Sequence, residues 1–166
     1  MKVNDYVTQL KLQPHPEGGY YRETYRSSEG IAAIGLPSRF EGERSFSTAI
    51  YFLIEKGNFS ALHKIKSDET WHFYAGDALE VIELDEHGNL ILTRVGPHLN
   101  KGKVFQYTVK AGRWFGSRMA GEGLFSLVGC TVSPGFDFRD FEMAKCEELV
   151  KEFPQHEVII RQMTRI

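Results

Sequence analysis

The sequence has few cysteines, no long apolar run and no excess of charge of either sign. Its two cysteines, Cys130 and Cys146, form no CxxC pair, so two reduced thiols are the simpler interpretation and a disulfide framework is not expected. No stretch approaches the roughly 18 consecutive apolar residues of a membrane-spanning helix. Residues 1–9 are polar and mixed in charge, and they do not resemble a secretory signal. A cytoplasmic location is therefore expected.

The charge balance bears on the expected partners. The 166 residues include 20 Lys and Arg against 22 Asp and Glu, for a net charge of −2. Such a chain has no global basic field that attracts nucleic acid or an anionic membrane. Neither is therefore an expected partner.

Aromatic residues are plentiful, with 12 Phe and 7 Tyr, and this favours a β-rich protein. The length fits one domain over 1–166 that buries a core without disulfides or metal. Short apolar runs separated by turn residues predict about nine strands of a sandwich or barrel. The predicted strands are 20–26, 46–54, 59–65, 70–75, 79–84, 90–95, 104–109, 114–118 and 124–132.

Helical patterns are confined to the two ends of the chain. Asn4 is a candidate cap for a short helix over 4–10. Apolar residues at helical spacing predict a helix over 140–153 and a second over 157–163. Residues 27–44 contain scattered glycines and a proline, which predicts a mobile loop or a lid over a functional site.

One motif suggests a metal-binding ancestry. Gly57, His63, Glu69 and Gly76 stand at spacings that resemble the first signature of the cupin superfamily, but Ile65 occupies the position of its second histidine. Two residues at i and i+2 on a strand face the same way, and a following turn brings a carboxylate beside them. Two imidazoles and a carboxylate suit a divalent transition metal.

The later ligand of that signature is also replaced, since Phe115 stands where a histidine is expected. Only His63 and Glu69 remain of four ligands, and stable protein sites use three or four. Alternation along a strand turns His72 away from Glu69, although a bulge would reverse this. We therefore expect no tightly bound metal and no other cofactor, with a divalent transition metal on His63, Glu69 and His72 as the weaker alternative.

Three blocks, 15–23, 67–76 and 132–138, resemble a narrower cupin family of unknown function found in bacteria and fungi. The resemblance implies an all-β fold, the cupin double-stranded β-helix or jelly-roll barrel, with short N-terminal and C-terminal helices. This fold is similar to that of sugar-nucleotide epimerases and seed storage proteins. It also implies a homodimer or a higher homo-oligomer, but it implies no activity.

The metal-free cupin epimerases suggest roles for several residues. In those enzymes an aspartate orients a histidine that removes a proton, and a tyrosine returns one. By this resemblance His63 is the candidate catalytic base, since its unperturbed pKa lies near neutrality. Tyr74 or Tyr107 is the candidate acid, and Asp137 or Asp140 would orient the histidine.

The remaining candidates are ligand-binding residues. Glu69 needs a partner inside a barrel, because an unpaired buried carboxylate is costly, and Arg22 or Arg113 could pair with it and with an anionic ligand. Trp114 is a candidate for the cavity lining. The expected ligand-binding set is Glu69, Arg22, Tyr74, Trp114 and Tyr107, whereas His15 is expected at the surface.

Three functions remain open. The first is a metal-independent cupin that binds a small polar ligand, sugar-like or anionic, and transfers a proton as an epimerase or isomerase does, through His63. The second is a non-catalytic cupin that binds or senses a small molecule. The third and weakest is a metal-dependent oxygenase or isomerase. A His63 sealed from solvent, with both ring nitrogens bonded to the protein, would count against the first.

Overall fold

The structure is a computed structural model that describes residues 2–165. Thirteen strands and three short helices form in this part of the chain. The strands are β1 (Gln13–Pro14), β2 (Tyr20–Arg26), β3 (Gly30–Ile31), β4 (Arg44–Ser45), β5 (Thr48–Glu55), β6 (Phe59–Lys64), β7 (Asp68–Gly76), β8 (Leu79–Leu84), β9 (Leu90–Val95), β10 (Gln106–Val109), β11 (Trp114–Met119), β12 (Phe125–Ser133) and β13 (Glu142–Met143). The helices are α1 (Val3–Gln9), α2 (Cys146–Glu152) and α3 (Glu157–Gln162).

Two antiparallel sheets form the barrel. The larger has the order β1-β2-β5-β12-β7-β10, and the smaller has the order β13-β6-β11-β8-β9. Inward-facing apolar side chains of both sheets, such as Phe52, Trp71, Val81, Phe115 and Val128, form the main core. The predicted all-β jelly-roll barrel is confirmed, and each of the nine predicted strands is present within a few residues of its predicted bounds.

The C-terminal helices cover the outer face of the smaller sheet. Leu149, Ile160 and Met163 pack there against Leu62 and Ile82. The predicted helix 157–163 is confirmed as α3. None of the helices among residues 2–165 has the length and apolar character needed to cross a membrane.

The predicted helix over 140–153 is wrong in its first half. Asp137 accepts a hydrogen bond from the backbone N–H of Arg139 and so starts a short 3₁₀ turn. The chain then adds β13 to the edge of the smaller sheet, where Met143 pairs with His63. Tertiary pairing therefore delays the helix until Cys146. Asn4 is also not the N-terminal cap of α1, because Lys2 holds that position.

Residues 27–45 are fixed by a buried ion pair. The short β3–β4 hairpin lies in this segment, and Arg44 in β4 is only 2% exposed. Its Nε and Nη2 donate to the two carboxylate oxygens of Asp140, both at 2.7 Å. The pair fastens the segment to the loop before β13. For residues 27–44 the sequence left a mobile loop or a lid open. Within the described chain, they contribute no side chain to the cavity at the end of the barrel that is described below.

Candidate functional site

A cavity of about 390 Å³ opens at one end of the barrel. It lies where β5 and β7 begin and where β2, β6 and β12 end. The loop between β12 and β13 closes one side. The lining residues are Gln13, His15, Glu17, Tyr21, Glu23, Arg26, Thr48, Ile50, His63, Ile65, Glu69, Cys130, Val132, Phe136, Asp137, Phe138 and Phe141.

Two glycines place Glu17 inside this cavity. Gly18 and Gly19 have φ of 113° and 76°, a region that only glycine adopts readily. A Cβ on Gly18 would lie 2.1 Å from the carbonyl oxygen of Phe59, so no larger residue fits so close to β6. The backbone N–H of Ala61 donates to the Glu17 carbonyl at 2.8 Å. The two glycines therefore allow the segment to approach β6 closely, and this contact fixes the Glu17 carboxylate beside β6.

His63 is held at both ring nitrogens. Its Nδ1 lies 2.7 Å from the Ala61 carbonyl oxygen, which requires a proton on that nitrogen. Its Nε2 lies 3.0 Å from a carboxylate oxygen of Glu17. The residue is 3% exposed, and its ring packs on Phe115 with centroids 4.2 Å apart. This is the arrangement that counts against His63 as the direct base.

Glu69, the second residue of β7, faces the cavity. It is 9% exposed, and the Cys130 thiol, a weak donor, lies beside it. No Lys, Arg or hydroxyl group of residues 2–165 forms an ion pair or hydrogen bond with the Glu69 carboxylate. The pairing of Glu69 with Arg22 or Arg113 that the sequence suggested is therefore not formed. Burial raises the pKa of Glu69 to about 7, although the nearby His63 acts in the opposite direction.

The neighbouring groups are also shifted by burial. Desolvation raises the pKa of Glu17 and lowers the pKa values of His63 and His15. The Nδ1 of His15 accepts the backbone N–H of Glu17 at 3.2 Å. Two carboxyl groups and two imidazoles therefore meet in one buried cluster whose uncharged forms are favoured. His15, expected at the surface, instead lines the cavity.

Aromatic rings form the outer part of the cavity. Phe136 and Phe138 have ring centroids 4.9 Å apart, and Phe141 lies 5.9 Å from Phe138. Arg26 is the cation of the lining, but its Nε and Nη2 donate to the carboxylate of Glu23 at 2.9 and 2.8 Å. Its Nη1 donates to the Phe136 carbonyl at 3.0 Å. The outer part of the cavity therefore combines three aromatic rings with a guanidinium that is already bound.

Four of the five predicted ligand-binding residues lie outside the cavity lining. Alternation turns Arg22 outward, where it donates to the Leu10 carbonyl at 3.2 Å. Tyr74 lies on the outer face of the larger sheet, 53% exposed. Trp114 packs with the C-terminal helices. Tyr107 donates its hydroxyl to Glu83. Sequence alternation alone does not show which face of each strand meets the cavity.

The predicted partners of these groups are also different. Arg113 pairs with the fully buried Glu83 at 2.5 Å. Asp137 binds Arg139 at 2.7 Å, and Asp140 binds Arg44. Neither aspartate orients His63, because Glu17 contacts its Nε2 instead.

A family comparison identifies this architecture. The profile of the cupin superfamily (DUF985) matches residues 4–144. The chain belongs to this family. Two solved structures are similar over nearly the whole length of both chains. A hypothetical protein from Leishmania major is 38% identical with a TM-score of 0.90, and covers 100% of each chain. A protein from Shewanella oneidensis is 37% identical with a TM-score of 0.89, and covers 99% of this chain and 98% of that one.

More distant relatives extend the comparison. An uncharacterized protein from Saccharomyces cerevisiae is 27% identical over 158 residues, which are 90% of this chain and 76% of that protein. Oxalate decarboxylase from Bacillus subtilis shares the fold, with 16% identity, a TM-score of 0.55 and coverage of 92% of this chain and 37% of that one. The comparisons therefore establish that this protein has a cupin fold, and they do not assign it a function.

The metal site expected of many cupins does not fit these residues. Ile65 and Phe115, 3% and 1% exposed, fill two ligand positions with hydrocarbon, and the Nε2 of His63 is taken by Glu17. His72 lies on the outer face, where its ring bonds with Thr131 at 3.0 Å, as alternation predicts. No group of three or more His, Cys, Asp or Glu side chains among residues 2–165 is arranged to hold a metal.

Sequence reasoning missed Glu17, His15 and Tyr21 as cavity residues. The signal for Glu17 was present, because two consecutive glycines after a carboxylate indicate that its backbone approaches another strand closely. Of the three phenylalanines of the outer wall, Phe136 and Phe138 lie within the Val132–Phe138 block that carried the family resemblance, and Phe141 follows it. Nothing in a single sequence reports which of several aromatic residues converge on one end of a barrel.

Proposed function

We propose that this cupin binds a small polar ligand of sugar-like, hydroxylated type in the end cavity, without a metal ion, and that Glu69 transfers a proton to or from it. One observation carries the proposal: Glu69 is a nearly buried carboxylate that faces a ligand-sized cavity without an ion-pair partner. A pKa of about 7 suits a general acid or base at neutral pH.

The cavity wall supports a hydroxylated ring better than an anion. Phe136, Phe138 and Phe141 offer apolar faces on which the C–H groups of a sugar ring can pack. Glu17 and Glu69 at the inner end accept hydrogen bonds from hydroxyl groups. An anionic ligand would meet these carboxylates, and Arg26 is already bound by Glu23.

The proton transfer would resemble that of an epimerase, with different residues from those predicted. Glu69 takes the place of His63 as the group that moves the proton, because His63 has no free nitrogen. The His63–Glu17 pair sets the charge around Glu69. Tyr21 lines the cavity, so its hydroxyl replaces Tyr74 and Tyr107 as the candidate acid on the opposite side.

A non-catalytic binding or sensing cupin is the second candidate. The sealed position of His63, bonded at both nitrogens, favours it. The two candidates differ in one measurable way, because only the first breaks and remakes a C–H bond of its ligand.

The test is a ligand screen in two stages. Sugars, sugar nucleotides and small acids are first ranked by the rise in melting temperature, since a ligand that binds only the native state stabilises it. Compounds that bind are then incubated with the protein in D₂O and followed by proton NMR. We expect a hydroxylated compound that contains a carbonyl group to bind. The signal of the C–H beside that carbonyl should disappear as deuterium replaces the proton, because the carbonyl accepts the electron pair of the broken C–H bond.

Glu69→Gln should abolish that exchange, whereas Glu122→Gln, at an exposed carboxylate far from the cavity lining, should leave it unchanged. Binding without exchange in the wild type would support the non-catalytic candidate. If no polar compound binds, the proposed function is wrong.

The metal independence needs its own measurement. Protein purified without chelators or a metal-affinity tag should contain less than about a tenth of an equivalent of any transition metal, because two ligands hold an ion only weakly. One equivalent of a transition metal in the wild type that is absent from Glu69→Gln would contradict this part of the proposal.

A further inference from the structure

The inner end of the cavity holds carboxyl groups that no Lys or Arg of residues 2–165 pairs with. Glu69 is 9% exposed, and no Lys or Arg of residues 2–165 lies within ion-pair distance of it. The cation of the lining, Arg26, is bound to Glu23 at 2.8 Å. An ionised carboxylate buried without a cation is costly. A ligand that carries a cation would therefore form the ion pair that Glu69 lacks within the described chain, and this pair would favour binding.

The outer wall is suited to the same kind of group. Phe136, Phe138 and Phe141 meet at angles of 71° to 82°, so their rings lie at steep angles to one another and enclose a corner. Phe141 also lies 5.2 Å from the ring of His63, which places this aromatic corner beside the carboxyl cluster. Aromatic faces attract ammonium groups through their quadrupoles, and more strongly where water is excluded.

We propose that the ligand of this cavity carries a protonated amine, with its ammonium group on the Glu69 carboxylate and its carbon skeleton against Phe136, Phe138 and Phe141. This inference names the ligand class of the proposed site, and it rests on the binding part of the proposed function. It requires an unpaired carboxylate and an aromatic wall in one cavity, and both are present.

The proposal implies a specific pH dependence. Around Glu69 stand His63 on β6, Glu17 and His15 on the segment before β2, and Cys130 on β12. The charged groups at the rim are Glu23, Arg26 and Asp137. Burial raises the pKa of Glu69 to about 7, so its carboxylate ionises as the pH rises through neutrality. An aliphatic amine stays protonated well above pH 8, and binding should therefore strengthen from acid to mildly basic pH.

Benzylamine, benzyl alcohol and benzoate provide matched probes of cationic, neutral and anionic character. Their dissociation constants would be measured by NMR titration of the intact protein at pH 5.5 and pH 8. At pH 8 we expect benzylamine to bind at least about tenfold more tightly than the other two, which corresponds to one pKa unit of interaction. Its affinity should fall at least about tenfold at pH 5.5, while that of benzyl alcohol stays constant.

Two variants locate the effect. Glu69→Gln should remove both the preference for benzylamine and its pH dependence, and Glu122→Gln should preserve them. Phe138→Leu should weaken the binding of benzylamine. Because the Phe138 side chain is 54% exposed and so tolerant of change, the NMR spectrum of this variant should remain that of a folded protein.

Several results would overturn the inference: equal or tighter binding of benzyl alcohol or benzoate, a flat pH profile for benzylamine, an unchanged preference in Glu69→Gln, or no binding of benzylamine. The proposed function survives these results if a neutral polyol still binds in its own screen with sensitivity to Glu69→Gln. It fails separately if no polar compound of any charge binds.

Discussion

At the scale of single residues, the chemistry of the cavity depends on which of its side chains carry a proton. Glu17 and Glu69 are carboxyl groups whose pKa values burial raises, and His15 and His63 are imidazoles whose pKa values burial lowers. Low polarity therefore favours the neutral form of each group. A ligand that brings charge or a hydrogen-bond donor changes this balance, so ligand binding and the protonation of these groups are expected to be linked.

The pH dependence of the unfolding free energy should report the raised pKa of Glu69. Burial raises its pKa from 4.5 to about 7, so between these pH values the folded state keeps a proton that the unfolded chain releases. The contribution is fully present below about pH 4.5 and is lost as the pH rises to about 7. Compared with Glu69→Gln, the wild type should lose about 3 kcal/mol between pH 4.5 and 8.

Urea denaturation of both proteins across this range measures the effect. The shifted histidines act with the opposite sign, but they are common to both proteins and largely cancel in the difference. A difference in unfolding free energy that does not vary with pH would show that Glu69 has an ordinary pKa.

Residue spacing predicted part of this site. His63 and Glu69 were found because the strand–turn–strand pattern fixes their separation along the chain, and both line the cavity. Arg22, Tyr74, Trp114 and Tyr107 were misplaced because their positions depend on which face of each strand meets the cavity. A register shift at Glu23–Tyr25 adds a further change of face that no alternation rule contains.

At the scale of elements, the segment 27–45 and the loop before β13 behave as one unit. The Arg44–Asp140 pair joins them, and Arg44 also donates through Nη1 to the carbonyls of Glu41 and Glu43 at 3.1 and 2.7 Å. Because that loop carries Phe136 and Phe138, the Arg44–Asp140 pair helps to fix the position of the aromatic wall without itself lining the cavity. The glycine-rich composition of 27–44 gave no sign of this, since a buried arginine cannot be told from a surface one by sequence.

Arg44→Met should therefore destabilise the protein by about 3 kcal/mol, because it leaves Asp140 buried without its bidentate partner. It should also expose 27–44 to proteolysis and weaken ligand binding. Denaturant unfolding and limited proteolysis measure the first two effects. Arg139→Met removes an exposed pair instead and should change little. Equal behaviour of the two variants would refute the structural role of Arg44.

At the scale of the whole molecule, apolar side chains pack in three clusters, of which one lies under α1 and the other two have separate roles. The inner cluster fills the barrel beneath the cavity. The outer cluster joins the smaller sheet to α2 and α3, with Ile160 fully buried at its centre. Overall length, aromatic content and strand spacing predicted a sandwich or a barrel because they reflect this burial, and the family resemblance implied the jelly-roll barrel. They could not predict how the chain from 138 to 145 divides between sheet and helix.

Ile160→Ala should lower the unfolding free energy by about 2 to 5 kcal/mol, as expected for a large side chain removed from a packed core. Ligand affinity should stay unchanged, because Ile160 lies outside the cavity lining. Val158→Ala, at a side chain in the same helix that is 73% exposed, is the matched control for stability. A loss of affinity in Ile160→Ala without loss of stability would contradict the separation of the inner and outer clusters.

The expected homodimer or higher homo-oligomer stays a prediction at this scale. Light scattering on a sizing column tests it directly, since the chain mass is 19.0 kDa and a dimer doubles that value. A mass of one chain over the whole concentration range would exclude it.

The turn at Gly18-Gly19 links the cavity to the exterior of the protein. Behind it, Arg165 donates through Nε to the Glu17 carbonyl at 3.2 Å and through Nη2 to the Phe59 carbonyl at 2.7 Å. A side chain at the surface thus supports, through a single peptide unit, the carboxylate that touches His63. The position of a carboxylate inside the cavity therefore depends partly on a residue that lies outside the cavity lining.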